Sequence, residues 1–170
     1  MSGIILPYNN ILPRIDPSAF IAQNAVVAGD VEIGPDSSVW FGCVMRGDVH
    51  EIRVGARTNI QDGTIVHCSK DKFGCYIGSD ITIGHAAVLH ACTLEDGCFI
   101  GMGAIVMDGA RVESGAMVAA GALVPPGKVV RKGELWAGNP ARMMRELTGQ
   151  ELAFFPVSAE RYVELSKSYK

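Results

Sequence analysis

The sequence predicts an all-β solenoid, a parallel β-helix whose short strands turn a corner every six residues. An aliphatic residue recurs at every sixth position, a small residue mostly fills the fifth slot of each unit, and glycine is frequent at 20 residues while aromatic residues make up 7%. A period of six fits neither an amphipathic helix nor a simple alternating strand. It fits units that point one aliphatic side chain inward and turn at a small residue, so that three units close a triangular coil.

The repeat divides most of the chain into elements of this one kind. Three irregularities interrupt it: a three-residue slip after Met45, a five-residue insertion after Val66 and a short step after Leu89. The inward aliphatic positions are Ile15, Ile21, Val27, Ile33, Val39, Met45, Val54, Ile60, Val66, Ile77, Ile83, Leu89, Leu94, Ile100, Val106, Val112, Val118, Val124, Val130 and Trp136. Residues from about 15 to 141 therefore predict roughly seven coils, each paired with the next at a strand spacing of about 4.8 Å.

The C-terminal tail departs from the repeat and predicts a cap for the exposed end of the solenoid. Residues 138–142 (GNPAR) lead into an expected helical stretch at 143–149, which Pro156 separates from a second helix. Ser158 predicts the N-cap of that second helix, which runs through ERYVELSKSY. We therefore divide the chain into a β-helix domain at 1–141 and a helical cap at 142–170.

Composition and charge exclude several classes of function. The formal net charge of −3 does not favour nucleic acid as a partner, and no apolar stretch reaches the roughly 20 residues that cross a membrane. The first residues lack a basic region and their apolar run ends at Pro7, so we expect no signal peptide. The five cysteines are odd in number and form no CxxC pair, which argues against disulfides and a cysteine zinc site. We expect a cytoplasmic protein.

Coil counting places two histidines together on one face of the solenoid. The inward residues of this column are Val27, Met45, Val66, Leu89 and Val106. His67 and His90 each follow one of them, so they lie on neighbouring coils about 5 Å apart at the backbone, with Arg46 one coil below. Two nitrogens bound to one tetrahedral zinc at about 2.1 Å are about 3.4 Å apart, a separation that a slight lean of stacked side chains provides. The pair predicts metal binding.

A third histidine, His85, falls in a different column. It follows Ile83 by two positions, and Asp62 lies one coil below it beside Gln61. Side chains on two faces of a triangular prism diverge, so a neighbouring subunit is expected to bring His85 to the pair. A closed trimer that sets each face against the next subunit does this. The fourth histidine, His50, is interpreted as a solvated surface residue.

At this point the sequence resembles the gamma-class carbonic anhydrases, a family of hexapeptide-repeat proteins. The resemblance covers nearly the whole chain and is carried by RGD at 46–48, NIQDG at 59–63, IVH at 65–67 and IGHAAVLH at 83–90. It implies a left-handed β-helix and a homotrimer with one metal at each subunit interface. His67 and His90 would come from one chain and His85 from the next, in agreement with the column count.

The resemblance also implies an activity, a cofactor and roles for further residues. Zn²⁺ held by three histidines, or Fe²⁺ or Co²⁺ in its place, would provide hydroxide at neutral pH for the reversible hydration of carbon dioxide to bicarbonate. Gln61 would orient that hydroxide, and Asp62 would support the site from behind His85. Arg46 and Asp48 would form an ion pair near the subunit boundary, with a purely structural salt bridge as the alternative. The remaining two residues that the resemblance implicates are Asn59, in a supporting role, and Tyr162, which matches a tyrosine that approaches the site.

The sequence also departs from the family. The best-studied active members carry a glutamate just after the aspartate of the RGD-like motif and an acidic loop after the first metal histidine, which serve as a proton shuttle. Here Val49 takes the first position, and the loop CSKDKFGC retains only Asp71 as an acidic residue. These departures put fast proton export in doubt and leave weak or absent hydration activity open as an alternative. Two alternatives stay open: an acyltransferase or thioesterase that uses coenzyme A, and a metal-binding scaffold subunit with little turnover.

Overall fold

The structure is a computed structural model that describes residues 3–169. These residues form a parallel β-solenoid of about seven coils, followed by one α-helix. The strands are short, from two to eleven residues. This is the parallel β-helix that the six-residue repeat predicts.

The strands are β1 (Ile4–Leu6), β2 (Arg14–Ile15), β3 (Phe20–Ile21), β4 (Val26–Ile33), β5 (Ser38–Val39), β6 (Val44–Val54), β7 (Asn59–Ile60), β8 (Ile65–His67), β9 (Cys75–Ile77), β10 (Thr82–Ile83), β11 (Val88–His90), β12 (Thr93–Leu94), β13 (Phe99–Ile100), β14 (Ile105–Val106), β15 (Arg111–Val112), β16 (Met117–Val118), β17 (Leu123–Val124), β18 (Val129–Val130), β19 (Glu134–Gly138) and β20 (Ala141–Glu146). The helix is α1 (Gly149–Lys167).

The strands form the three faces of a prism. Face A stacks β1, the first half of β4, the first half of β6, β8, β11, β14 and β17, and face B stacks β2, the second halves of β4 and β6, β9, β12, β15 and β18. Because β4 and β6 continue around the corner, faces A and B belong to one 12-stranded sheet. Face C is the separate eight-stranded sheet, ordered β20-β19-β16-β13-β10-β7-β5-β3.

The predicted inward residues line the interior of the prism. From Val27 to Val130 the aliphatic positions of the repeat are buried, and most are completely inaccessible to solvent. The small residues of the fifth slot are buried beside them, as shown by Cys43, Thr64, Ala87 and Ala104. The interior is therefore a narrow column of one aliphatic side chain per unit, which the repeat alone specifies.

Two glycines allow neighbouring coils to approach closely at the corner between faces A and B. A Cβ at Gly47 would lie 2.4 Å from the carbonyl oxygen of Asp30, and a Cβ at Gly29 would lie 2.2 Å from that of Gly47. Gly29 also has a positive φ of 77°. Since Gly47 separates Arg46 from Asp48, this close approach sets the backbone from which both side chains project.

The tail differs from the predicted pair of helices. Residues 141–146, expected in part to be helical, form the strand β20, which pairs antiparallel with β19. One helix, α1, then runs through Pro156, and its N-cap is Thr148, in a capping box with Glu151, instead of Ser158. The prediction of a break at Pro156 was wrong because a packed apolar face stabilises α1 more than one missing backbone hydrogen bond destabilises it.

The helix α1 lies along face C, although the sequence predicted a cap over the end of the solenoid. It contacts β5, β7 and β10. Outward aromatic residues of face C need this cover: the rings of Phe99 and Phe155 are 5.1 Å apart, and those of Trp40 and Tyr162 are 5.5 Å apart. Among residues 3–169, no helix is both long and apolar enough to span a membrane.

Candidate metal centre

His67 and His90 are direct neighbours on face A. They end β8 and β11, which pair in parallel with His90 in register with His67, as the coil count predicted. The Nδ1 atom of His67 lies 3.3 Å from the Nε2 atom of His90. Two histidine nitrogens on one tetrahedral metal ion are separated by about the same distance. The backbone register therefore brings the two imidazoles to the spacing that a shared metal ion requires.

A carboxylate contacts the remaining ring nitrogen of each of these histidines. The Nε2 atom of His67 is 3.0 Å from Oδ1 of Asp48, and the Nδ1 atom of His90 is 2.7 Å from Oδ1 of Asp108. Such carboxylate partners hold one ring nitrogen as the N–H donor, which leaves the other as a lone pair for a metal. The rings are thus oriented with their free nitrogens toward each other.

Asp48 and Asp108 stay ionised to accept these hydrogen bonds. Partial burial raises the pKa of Asp48, but the hydrogen bonds and charge interactions with His67 and Arg46 together bring the pKa below its ordinary value. Burial likewise raises the pKa of Asp108, and its interactions with His90 and Ser69 together bring the pKa below its ordinary value. Arg46 also forms the expected ion pair with Asp48. Arg46 therefore acts on His67 through Asp48.

His85 lies away from the pair, at the corner between faces C and A. Its Nδ1 atom is 2.8 Å from Oδ2 of Asp62, one coil below, as the column count placed the two residues. The other oxygen of Asp62 accepts a hydrogen bond from the backbone N–H of Phe41. Over residues 3–169, no three metal-binding side chains of this single chain come together. One chain therefore holds the candidate ligands in two separate places, His67 with His90 in one and His85 in the other.

Asn59 and Gln61 lie on face C, the face from which the chain turns the corner to His85, and Tyr162 lies on the helix α1 that covers this face. Gln61 is nearly fully buried, and its Nε2 atom donates to Oδ1 of Asn59 at 3.0 Å. Tyr162 packs edge-on against Trp40. Burial and the nearby charge of Asp62 raise the pKa of Tyr162 above its ordinary value. All three residues thus lie on the side of the chain that carries Asp62, and not beside the histidine pair on face A.

His50 and the cysteines are weaker candidates for metal ligands. His50 pairs with its neighbour Glu51, Nδ1 to Oε2 at 2.7 Å, in the corner between faces A and B. All five cysteines are buried free thiols. Burial raises the pKa of Cys43 to about 11 and that of Cys68 to about 12. These thiols are protonated at neutral pH and are poor metal ligands.

Asp108 is the site residue that the sequence analysis missed. It lies two positions after the inward residue Val106, and the coil that contains it stacks directly on the coil of His90. The same column count that paired the two histidines would have found it, had carboxylates one coil above each histidine been sought. Ligating histidines usually have such a partner.

Comparison with known proteins gives close matches along the whole chain. No protein-family model matches it. The chain is 51% identical over 162 residues to a protein named gamma carbonic anhydrase 1, mitochondrial, from Arabidopsis thaliana, covering 92% of this chain and 59% of that protein. It is 52% identical over 159 residues to a probable carbonic anhydrase from Methanocaldococcus jannaschii, covering 92% and 99%. The chain spans 58–63% of the length of three mitochondrial relatives from Arabidopsis.

A solved structure supports the fold. The crystal structure of a hexapeptide transferase family protein from Anaplasma phagocytophilum matches with a TM-score of 0.95 and 49% sequence identity, over 100% of both chains. The repeat architecture and the tail arrangement are therefore shared across the full length. The name of that protein refers to group transfer, whereas the Arabidopsis and Methanocaldococcus relatives are named carbonic anhydrases.

Proposed function

The chain belongs to the gamma carbonic anhydrase family, and from that premise we propose that it catalyses the reversible hydration of carbon dioxide to bicarbonate. The proposed site holds one divalent metal ion between His67 and His90 of one subunit and His85 of a neighbouring subunit. The observation that carries the proposal is the 3.3 Å distance between one ring nitrogen of His67 and one of His90. The other ring nitrogen of each histidine contacts a carboxylate.

The donor set fits a metal ion on chemical grounds. When Asp48 and Asp108 accept hydrogen bonds from the outer nitrogens, each ring in its neutral form directs the lone pair of its inner nitrogen at the other, 3.3 Å away. Two such lone pairs repel unless a cation lies near both. His85 keeps Nε2 available, because Nδ1 contacts Asp62. Three neutral imidazoles, each with a carboxylate behind it, form the donor set of catalytic and not of structural zinc sites.

The metal and the protein residues divide the chemistry. When bound, the metal acts as a Lewis acid that lowers the pKa of a water ligand to about 7 and so provides hydroxide. Asp48, Asp62 and Asp108 keep the three imidazoles in the orientation and tautomer that ligation needs. Arg46 in turn forms an ion pair with the charged carboxylate of Asp48. We assign Gln61 to the substrate side, where its carboxamide positions the attacking oxygen by a hydrogen bond.

A homotrimer is the assembly that we propose, because one chain contains only part of the site. Face A also carries an outward row of apolar residues that runs beside the histidine pair; we call it the apolar ladder. Its members, in register from coil to coil, are Ile4, Val26, Val44, Ile65, Val88, Ile105 and Leu123. Ile4 and Ile65 are 45% and 46% exposed in the single chain. A closed trimer would bury this ladder and complete each site in the same contact.

Zinc is the metal that we propose, with Fe²⁺ or Co²⁺ as substitutes that imidazole ligands also accept. We also propose a cytoplasmic location. The support is that all five cysteines are free and buried, so none needs an oxidising compartment.

One experiment tests the activity against the transferase alternative. Protein purified without oxygen is analysed for metals, and carbon dioxide hydration and coenzyme A binding are measured on the same sample. We expect about one divalent metal per chain, hydration that a chelator abolishes and zinc restores, and no coenzyme A binding. Protein without metal that binds coenzyme A would support the acyltransferase or thioesterase reading. Metal without hydration would support a scaffold role.

A further inference from the structure

A chain of four buried polar side chains connects the helix α1 to Gln61. Gln61 donates from Nε2 to Oδ1 of Asn59 at 3.0 Å, and Asn59 donates from Nδ2 to Oγ1 of Thr82 at 3.0 Å. The Thr82 hydroxyl lies 2.9 Å from the Ser158 hydroxyl on α1. These four residues are between 1% and 6% exposed. We call them the polar chain. Its last link joins Thr82 and Ser158, which are 76 positions apart in sequence.

The polar chain decides which end of the Gln61 carboxamide faces Asn59. A backbone carbonyl only accepts hydrogen bonds, and the Asn59 amide reaches that of Ile81 at 3.2 Å. The group directed at Ile81 and Thr82 is therefore the NH₂ of Asn59, and its carbonyl Oδ1 is directed at Gln61. An acceptor at that place requires Nε2 of Gln61 opposite it. Oε1 of Gln61 is then directed to the other side of the carboxamide, as an acceptor with no hydrogen-bond partner among residues 3–169.

Thr82 and Ser158 complete this arrangement. The two hydrogens of Asn59 Nδ2 have one acceptor each, the Ile81 carbonyl and the Thr82 hydroxyl. Without the Thr82 hydroxyl, one buried N–H of Asn59 has no partner, which is costly away from water. The Thr82 hydroxyl is in turn held by Ser158, a residue that face C cannot supply. The helix thus takes part in fixing an amide on the sheet beneath it.

We infer that Thr82 and Ser158 are positioning residues for Gln61, so that α1 controls which atom Gln61 offers to the site. The inference rests on the proposed role of Gln61 in carbon dioxide hydration. Neither residue needs to touch substrate; they act through Asn59. In this view α1 belongs to the catalytic apparatus and is more than a cover for the aromatic residues of face C.

Nuclear magnetic resonance of the side-chain amides tests the inference without reference to turnover. The chain has three glutamines, Gln23, Gln61 and Gln150, and the other two are exposed. Labelling the zinc-loaded protein with ¹⁵N-glutamine therefore gives one buried amide among two internal references. We expect Thr82→Val to bring the two Nε2 proton shifts of Gln61 closer together and to speed their exchange with solvent. Ser158→Ala should do the same to a smaller extent.

Matched variants separate positioning from simple packing. Ser166→Ala is the control, because Ser166 is also a buried serine of α1, 3% exposed, but its hydroxyl donates to the carbonyl of Val163 within the helix. Alanine favours helix formation, so both serine variants are expected to fold. Thr82→Ser restores the hydroxyl and should restore the Gln61 signals. In hydration assays, Thr82→Val should lower kcat by about tenfold, the low end for residues that orient a site group, with KM nearly unchanged.

Three results would overturn the inference: unchanged Gln61 amide signals in folded Thr82→Val, an equal effect of Ser166→Ala, or failure of Thr82→Ser to restore the signals. If the wild-type protein does not hydrate carbon dioxide, the proposed function fails, while the amide spectra still decide whether α1 orients Gln61.

Discussion

His67 and His90 face each other through unlike ring nitrogens, Nδ1 of the first and Nε2 of the second, 3.3 Å apart. The reason lies in where their carboxylates are. Asp48 comes from the strand β6, one coil below His67, and Asp108 follows β14, one coil above His90. Each carboxylate takes the ring nitrogen on its own side. Two identical side chains in register are thereby turned in different senses, and their free nitrogens converge.

Removing one histidine of the pair should remove the metal. We expect His90→Ala to lower the metal content from about one per chain by more than about tenfold, because a three-histidine site loses affinity steeply with one ligand. His50→Ala is the matched control, since His50 contacts Glu51 and not the pair. Elemental analysis of both purified variants checks this. A normal metal content in His90→Ala would remove the site assignment.

The carboxylate behind His90 should tune metal affinity without binding metal. Asp108→Asn keeps the size of the side chain but loses the charge that the Nδ1–H of His90 contacts. We expect zinc affinity to fall by about tenfold, at the low end of the effect of such partners. Competition with a chelator of known affinity measures it. Asp71→Asn, in the exposed loop after His67, should have wild-type affinity.

Gln61 should be needed for turnover and not for assembly. We expect Gln61→Ala to keep metal and the trimer while hydration falls by at least about tenfold, since the lost hydrogen bond orients a reacting oxygen. Gln23→Ala, a change at an exposed glutamine, serves as the control. Stopped-flow hydration assays with metal content measured in parallel decide the matter. Equal rates for Gln61→Ala and the wild type would show that the assigned role is wrong.

Two inactive variants should complement each other if the site is shared. A His67→Ala chain still supplies His85, and a His85→Ala chain still supplies His67 and His90. With random assembly in a closed ring, an equal mixture should regain about a quarter of wild-type metal sites, whereas each variant alone has none. Metal content and hydration of refolded mixtures test this. No recovery in trimers proven to be mixed would exclude a shared site.

The apolar ladder should hold the trimer together. Ile65 is 46% exposed in the single chain, and a charge there would be buried between subunits. We expect Ile65→Glu to give monomers that also lose metal, because His85 then has no partner pair. Light scattering coupled to gel filtration measures the mass. Val129→Glu, at a 38% exposed position on face B, should stay trimeric; dissociation of this control instead would place the interface on face B.

The six-residue period alone determined the coils, the inward residues and the columns. Because each unit adds one side of a coil and three units complete it, position in the solenoid can be counted along the sequence. His67 and His90, 23 residues apart, could therefore be paired from sequence. The same arithmetic placed His85 above Asp62. The same counting also places Asp108 one coil above His90.

Only the tertiary structure decided what lies outside the period. In the tail, β20 forms because β19 offers it an edge, and α1 continues through Pro156 because Phe155, Ala159 and Val163 pack on face C. The contact between Thr82 and Ser158 follows from that docking. Local propensity cannot reveal such elements, since their stability comes from surfaces that exist only after the coils have stacked. The position of each repeat unit can be counted from the sequence, whereas the position of a segment that docks on the repeat cannot.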